Sequence, residues 1–319
     1  MTAINGTKSY VFEGDVPFGS CHASTVTRLS GGDIAAAWFG GTCEGDPDVD
    51  IWMSLRHGDQ WSPPVKAAQE EGMPHWNPVL FEDDDQLYLF YKVGHTFSDW
   101  YTRFIVSGDG GLTWSPPAEL VPGDRGGRGP VRNKPIKLRS GLWLAPASLE
   151  QEAWEAFVDR SADRGRTWKR SAMIATDIPR EPGRGVIQPA LWESAPDQVH
   201  MLLRSTEGRI YRSDSSDGGA TWSAAYATSL PNNNSGIDIA RLPDGQLALA
   251  YNPVGSNWGP RTPLVIGLSG DNGETWEQAL ALEEDEGEYS YPSVAEAGGK
   301  LHVTYTWNRQ KVAFWELTM

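Results

Sequence analysis

Short apolar strands, each led in by polar or aromatic residues and followed by a turn of fixed composition, recur along this chain. The turns read Ser-x-Asp-x-Gly-x-Thr-Trp at 107–114, 161–168, 215–222 and 269–276, each beginning 54 residues after the last. An eroded copy at 54–61 keeps the first Ser, the Gly and the Trp, and begins 53 residues before the first complete one. Ahead of the turns the strand leads read Cys21-His22-Ala23-Ser24, His75-Trp76-Asn77-Pro78, Arg132-Asn133-Lys134-Pro135, Gln188-Pro189-Ala190, Ser235-Gly236-Ile237-Asp238 and Ser290-Tyr291-Pro292-Ser293. A four-stranded sheet cannot bury both faces alone, so a period near fifty predicts blades repeated around an axis.

Five such units in 319 residues leave room for one more. The reading is one all-β domain over 1–319, a six-bladed β-propeller with four-stranded antiparallel blades. The last blade takes its inner strands from 290–296, 301–307 and 312–317, and 8–12 supplies its outer strand, which closes the ring without a free edge. In each turn the Asp and Thr oxygens can bond backbone N–H groups, Gly accepts positive φ, and Trp packs between units.

Composition agrees: 15 Trp, 35 Gly and 22 Pro suit a turn-rich β fold. No apolar run approaches the roughly 20 residues that span a bilayer. The first residues have neither a basic start nor an apolar stretch, and Cys21 and Cys43 are the only cysteines, so the chain as given reads as cytoplasmic. A formal net charge of −15 opposes nucleic acid and anionic membranes as partners. An acidic small substrate therefore needs a local cationic pocket.

If each Asp-containing turn joins strands three and four, the ligand funnel lies on the opposite face, between the strand leads and the loops joining strands two and three. That rim collects His22, His75, Asn77, His95, Arg132, Lys134, Gln188, Arg204, Arg261, Tyr289, Tyr291 and Arg309. Arg204, Arg261 and Arg309, from blades four to six, form a carboxylate clamp on this reading, and Arg132 with Lys134 a second cationic wall. Tyr289 and Tyr291 flank Ser290, one expected to face the pocket while the other packs. The acidic run Glu44, Asp46, Asp48 and Asp50 is open to two readings, a structural calcium site or a solvated loop, and has no EF-hand spacing. No cofactor is required by any of these residues.

The four phased turns resemble the Asp-box, or BNR, repeat of sialidase-like β-propellers over essentially the whole chain. That resemblance implies three arginines holding a substrate carboxylate, a tyrosine nucleophile paired with a glutamate, and an aspartate acid and base. Arg204 and Arg261 look like the second and third arginines, Tyr289 or Tyr291 like the tyrosine, and Asp46 or Asp48 like the acid. The chain departs from the pattern at His22, where the leading arginine is expected, and at Gln188, where the glutamate is expected; a neutral amide cannot take a phenol proton. The motifs His75-Trp76-Asn77, Lys92-Val93-Gly94-His95, Arg132-Asn133-Lys134 and Tyr289-Ser290-Tyr291-Pro292 are similar to L-rhamnosyl-α-1,4-glucuronate lyases. That branch implies β-elimination at the non-reducing end of an acidic polysaccharide, with His95 as base and acid, and with His75, Arg132 and Arg204 holding the uronate carboxylate. Histidine suits such proton traffic near neutral pH. An exo-α-sialidase is the enzyme alternative, and a non-catalytic glycan-binding propeller the third reading.

Overall fold

The computed structural model describes residues 4–319. Six antiparallel sheets follow one another as blades. From the inside outward, the first holds Ser20–Arg28, Ile34–Gly41 and Asp50–His57, with a split outer strand, Gln60–Trp61 and Val65–Ala68. The second holds His75–Asp83, Gln86–Val93, Tyr101–Ser107 and Ala118–Glu119; the third, Ile136–Lys137, Trp143–Leu149, Glu155–Ser161 and Lys169–Arg170. The fourth holds Val186–Ala195, Gln198–Ser205, Arg209–Ser215 and Tyr226–Pro231; the fifth, Asp238–Arg241, Leu247–Tyr251, Leu264–Ser269 and Glu277–Glu283. The sixth is Tyr289–Ala297, Lys300–Trp307 and Lys311–Thr318, completed by Asn5–Tyr10 from the other end of the chain.

This is the six-bladed, sialidase-like propeller expected from the repeat. The closing strand lies slightly earlier than 8–12: its register runs from Asn5 opposite Thr318 to Tyr10 opposite Ala313. Val11 adds one more backbone bond, to Val312, and then Val11 and Phe12 turn inward against Trp38 and Phe314. Two large apolar side chains gain more from that interface than from continuing along an exposed edge.

Apolar residues of neighbouring blades merge between the sheets. Met53 and Ala37 of the first blade meet Leu80 and Leu89 of the second, and Leu144 and Val158 of the third meet Leu191 and Met201 of the fourth. Trp192 and Leu202 meet Ile239 and Leu249, and Ala248 and Ile266 meet Val294 and Val303. The core is thus spread around the ring, between adjacent blades.

Each complete turn is tied by one repeated set of bonds. At the first, Gly111 N–H donates to Ser107 Oγ at 2.7 Å, and Thr113 donates to Asp109 from its N–H at 2.8 Å and its hydroxyl at 2.6 Å. Gly111 is required twice over: its φ is 95°, and a Cβ there would sit 2.4 Å from Met53 Cε of the preceding blade. The eroded copy lacks the Asp and Thr and makes a tight hairpin instead, pairing Arg56 with Trp61 and His57 with Gln60.

Candidate functional site

Four inner strands share one irregularity. Pairing with the second strand breaks between His22 and Thr25, Trp76 and Val79, Ile187 and Ala190, and Ser290 and Ser293. In each gap two residues oppose one, the mark of a β-bulge. The first of the two has left-handed backbone: Ala23 (φ 55°), Asn77 (φ 41°), Gln188 (φ 53°) and Tyr291 (φ 53°). A proline follows in three cases, and it suits a bulge because it has no N–H to withhold from the ladder. Carbonyls around the bulges are taken up by side chains. Asn133 Nδ2 donates to Gln188 O at 2.9 Å and Pro189 O at 3.0 Å, and Arg132 donates to Tyr291 O and, at 2.6 Å, to Pro292 O.

The bulges bring Asn77, Gln188 and Tyr291 into one cavity of about 250 Å³ on the face away from the Asp-boxes. His22, Arg204, Arg261 and Arg309 line it as well. The bulge also separates the two tyrosines. In a regular strand residues 289 and 291 would share a face; here Tyr291 turns to the cavity, while Tyr289 packs between blades five and six beside Trp307.

Tyr291 is the centre of the site. Its ring lies 4.3 Å from that of His22, and three guanidinium carbons surround it: Arg132 at 5.2 Å, Arg261 at 5.5 Å and Arg204 at 5.7 Å. Arg204 Nη1 donates to Tyr291 Oη at 2.9 Å and to Gln188 Oε1 at 3.1 Å, and its Nε donates to Asn234 Oδ1 at 2.9 Å. Every one of these acceptors is neutral, and Arg204 is only 2% exposed. Arg132, likewise buried, bonds only carbonyls, and its Nε and Nη1 have no partner. Burial pushes Arg132 down to about 10, which still leaves it protonated at neutral pH.

Arg261 and Arg309 are held differently. Both donate to Glu288 Oε1, at 2.8 Å and 3.1 Å, and Arg309 Nη1 reaches Glu44 Oε2 at 2.5 Å. Glu288 therefore sets the spacing of the two outer arginines. It was not singled out in the sequence, where its position beside Tyr289 was the one available signal.

The histidines divide. His22 is buried in the cavity wall, and its pKa falls well below the imidazole value through burial first and then the charges of Arg309, Arg261, Arg132 and Arg204. His75 does not reach the cavity: its Nδ1 bonds Met73 O at 2.8 Å, its ring stacks on Tyr91, and burial lowers its pKa. His95 lies in the exposed loop after Gln86–Val93 and is not part of the cavity wall. The expected pairing of His75 and His95 at the funnel is thus not what the fold makes. Trp76 takes the inward position beside His75, because successive strand residues face opposite sides.

Lys134 is also placed elsewhere. It forms an ion pair with Asp238 at 2.8 Å, donates to Ile239 O, and borders a separate cleft with Lys137 and Glu193. In the acidic run Asp48 accepts from Thr42, the buried Asp50 pairs with Lys66 at 2.6 Å, and Glu44 is the residue that meets Arg309. Among the described residues no group of three or more His, Cys, Asp or Glu could hold a metal ion.

Two further features complete the cavity. Aromatic walls flank the cations: Trp76, Phe97 and Trp100 pack together on one side, and Trp154 meets Trp258 at 6.1 Å on the other. Trp258 is 63% exposed, a free apolar face at the mouth. Glu150, from the loop after Trp143–Leu149, lines the cavity and accepts from Gln188 Nε2 at 2.9 Å. Burial raises its pKa above the usual carboxylate value, against the pull of Arg204, Gln188 and Lys92.

Among solved structures, a protein of unknown function from Dyadobacter fermentans is similar with a TM-score of 0.79 at 17% identity, over the whole of both chains. The NanB sialidase of Streptococcus pneumoniae is similar with a TM-score of 0.76 at 14% identity, covering 98% of this chain and 70% of that one. Trypanosoma rangeli sialidase, in complex with the inhibitor DANA, gives 0.73 at 15% identity; 93% of this chain spans 55% of that one. At such identities the likeness is one of fold. No curated protein matches the chain by sequence. A family model described as the BNR repeat-like domain matches residues 32–303, most of the ring, and the chain belongs to that family.

Proposed function

We propose that this protein is an exo-acting glycosidase that releases a terminal carboxylate-bearing sugar from a glycan. One observation carries the reading: in a chain of net charge −15, Arg204 is buried at the cavity wall with only neutral hydrogen-bond partners. A desolvated cation without a carboxylate in contact is costly, and an acidic ligand would supply the missing charge. Arg204, Arg261 and Arg309 would hold the carboxylate, and the aromatic walls offer apolar faces to sugar C–H groups. Tyr291, its oxygen oriented by Arg204, faces the reacting carbon. The sialidase neighbours support a glycan as the substrate class.

Elimination is the second reading, and the position of His22 favours it. A neutral imidazole lies 4.3 Å from the Tyr291 ring inside the cavity. A rhamnosyl-glucuronate would then lose its C5 proton to His22 rather than to the exposed His95, which stands outside the wall.

The test is parallel incubation with 3′-sialyllactose, a glucuronyl disaccharide and rhamnosyl-α-1,4-glucuronate, followed by product mass and near-ultraviolet absorbance. Hydrolysis adds one water to an acidic sugar and gives no new absorbance. An absorbing unsaturated uronate would transfer the assignment to elimination. Binding without any product would make the protein a glycan-binding propeller.

A further inference from the structure

Two carboxylates line the funnel. Glu44 is engaged by Arg309 at 2.5 Å. Glu150 is met instead by a neutral group, the amide of Gln188, at 2.9 Å. The orientation of that amide is set from its far side: its oxygen accepts from Arg204 Nη1 at 3.1 Å, so its NH₂ must point to Glu150. A carboxyl oxygen can accept from an amide N–H whether the acid is ionised or protonated. Gln188 therefore holds Glu150 in place through Oε1 without demanding its charge, and the neighbouring Ser148 hydroxyl, able to donate or to accept, is compatible with either state of the acid.

The charged groups facing Glu150 are Arg204 of the fourth blade and Lys92 of the second. Lys92 is itself buried, donates to Gly127 O and Arg128 O at 3.0 Å each, and is pushed by burial down to about 7. Arg204 spends its nearest hydrogen bonds on Gln188, Tyr291 and Asn234. Neither cation cancels the effect of burial, which keeps the Glu150 proton at higher pH than an exposed glutamate would.

We propose that Glu150 is the general acid of this site, protonating the glycosidic oxygen as the acidic sugar departs. The proposal rests on the hydrolytic reading. The bond between the sugar carbon and the glycosidic oxygen breaks with its electron pair on oxygen, and the Glu150 proton moves to that oxygen. Water then supplies hydroxide to the sugar carbon, and its remaining proton returns to Glu150. Glu150 is thus catalytic, and Gln188 is a positioning residue acting through it.

The experiment compares the parent with Glu150→Gln and Gln188→Ala, using whichever of 3′-sialyllactose or the glucuronyl disaccharide the parent hydrolyses, together with the 4-nitrophenyl glycoside of the same acidic sugar. Glu150→Gln keeps the shape and an acceptor for Gln188. Its kcat on the natural glycoside should fall by roughly 10²–10⁴-fold, the usual worth of a positioned proton donor. On the 4-nitrophenyl glycoside, whose leaving group needs no proton, it should fall less than about tenfold, and the alkaline limb of the kcat/KM profile should disappear. Gln188→Ala should keep that limb but displace it. Equal losses on both leaving groups, or an unchanged alkaline limb in Glu150→Gln, would overturn the assignment while leaving hydrolysis standing. A parent that hydrolyses neither glycoside would bring down both readings.

Discussion

Arg204→Met removes a charge at the wall of the funnel while keeping an unbranched side chain of similar reach. In the unliganded protein two effects oppose each other. Asn234 Oδ1, Gln188 Oε1 and Tyr291 Oη each lose a donor that stood at 2.9–3.1 Å, and a buried acceptor left unpaired costs about 1–3 kcal/mol. Against this, the variant no longer buries a cation with no carboxylate in contact, a penalty of several kcal/mol. The two are comparable, so the melting temperature should move by only about 2–8 °C in either direction. For an acidic ligand no such cancellation exists. Losing a desolvated charged contact should cost roughly 2–5 kcal/mol, or about 30-fold to several thousand-fold in Kd. Calorimetric titration with sialic acid and glucuronate, alongside scanning calorimetry, measures both quantities. Arg261→Met is the comparison: Glu288 keeps Arg309 as a partner at 3.1 Å, and the clamp keeps its buried member, so the loss of affinity should be smaller. A Kd for Arg204→Met within threefold of the parent, for every acidic sugar that binds, would refute the carboxylate assignment. A collapsed fold would show that Arg204 is structural.

Two predictions concern the ring itself. Deleting residues 1–14 removes the strand Asn5–Tyr10 and the buried Val11 and Phe12; at about 1.5–3 kcal/mol for each buried side chain the melting temperature should fall by roughly 6 °C or more, and unchanged thermal unfolding would mean the sheet does not need this strand. The Asp-box carboxylates Asp109, Asp163, Asp217 and Asp271 are each held down to about 2, below the ordinary aspartate range, by their Thr and Ser partners. A depressed folded-state pKa means a contribution fully present above about pH 4 and lost as pH falls towards 2. Denaturant titrations from pH 6 to pH 2 should show that loss, and replacing all four Asp by Asn should flatten it; identical acid limbs would remove the turns from the explanation.

Local order explains what could be read in advance. The Asp-box bonds join residues two to four positions apart, as between Ser107, Asp109 and Thr113, so their chemistry is written in consecutive letters. Their phase then counts the blades, and it places Arg204, Arg261 and Arg309 on one face. The eroded copy at 54–61 was legible as a repeat but not as a hairpin, because Gly58 and Asp59 favour a tighter turn than the full motif allows.

By itself, then, the sequence determined the number of blades, the closure of the last by the first residues, and the rim that gathers the cations. Only the tertiary structure decided which rim residues share the cavity. His75 and Trp76 are neighbours in the chain and part company at the strand, and Tyr289 and Tyr291 are separated by a bulge whose backbone angle no periodicity reveals. The partners that give each arginine its meaning come from other blades: Glu44 and Arg309 are 265 positions apart, and Arg204 and Tyr291 are 87 apart. Such contacts depend on how twisted sheets meet around an axis, a geometry set by the packing of all six blades at once rather than by any short stretch of chain.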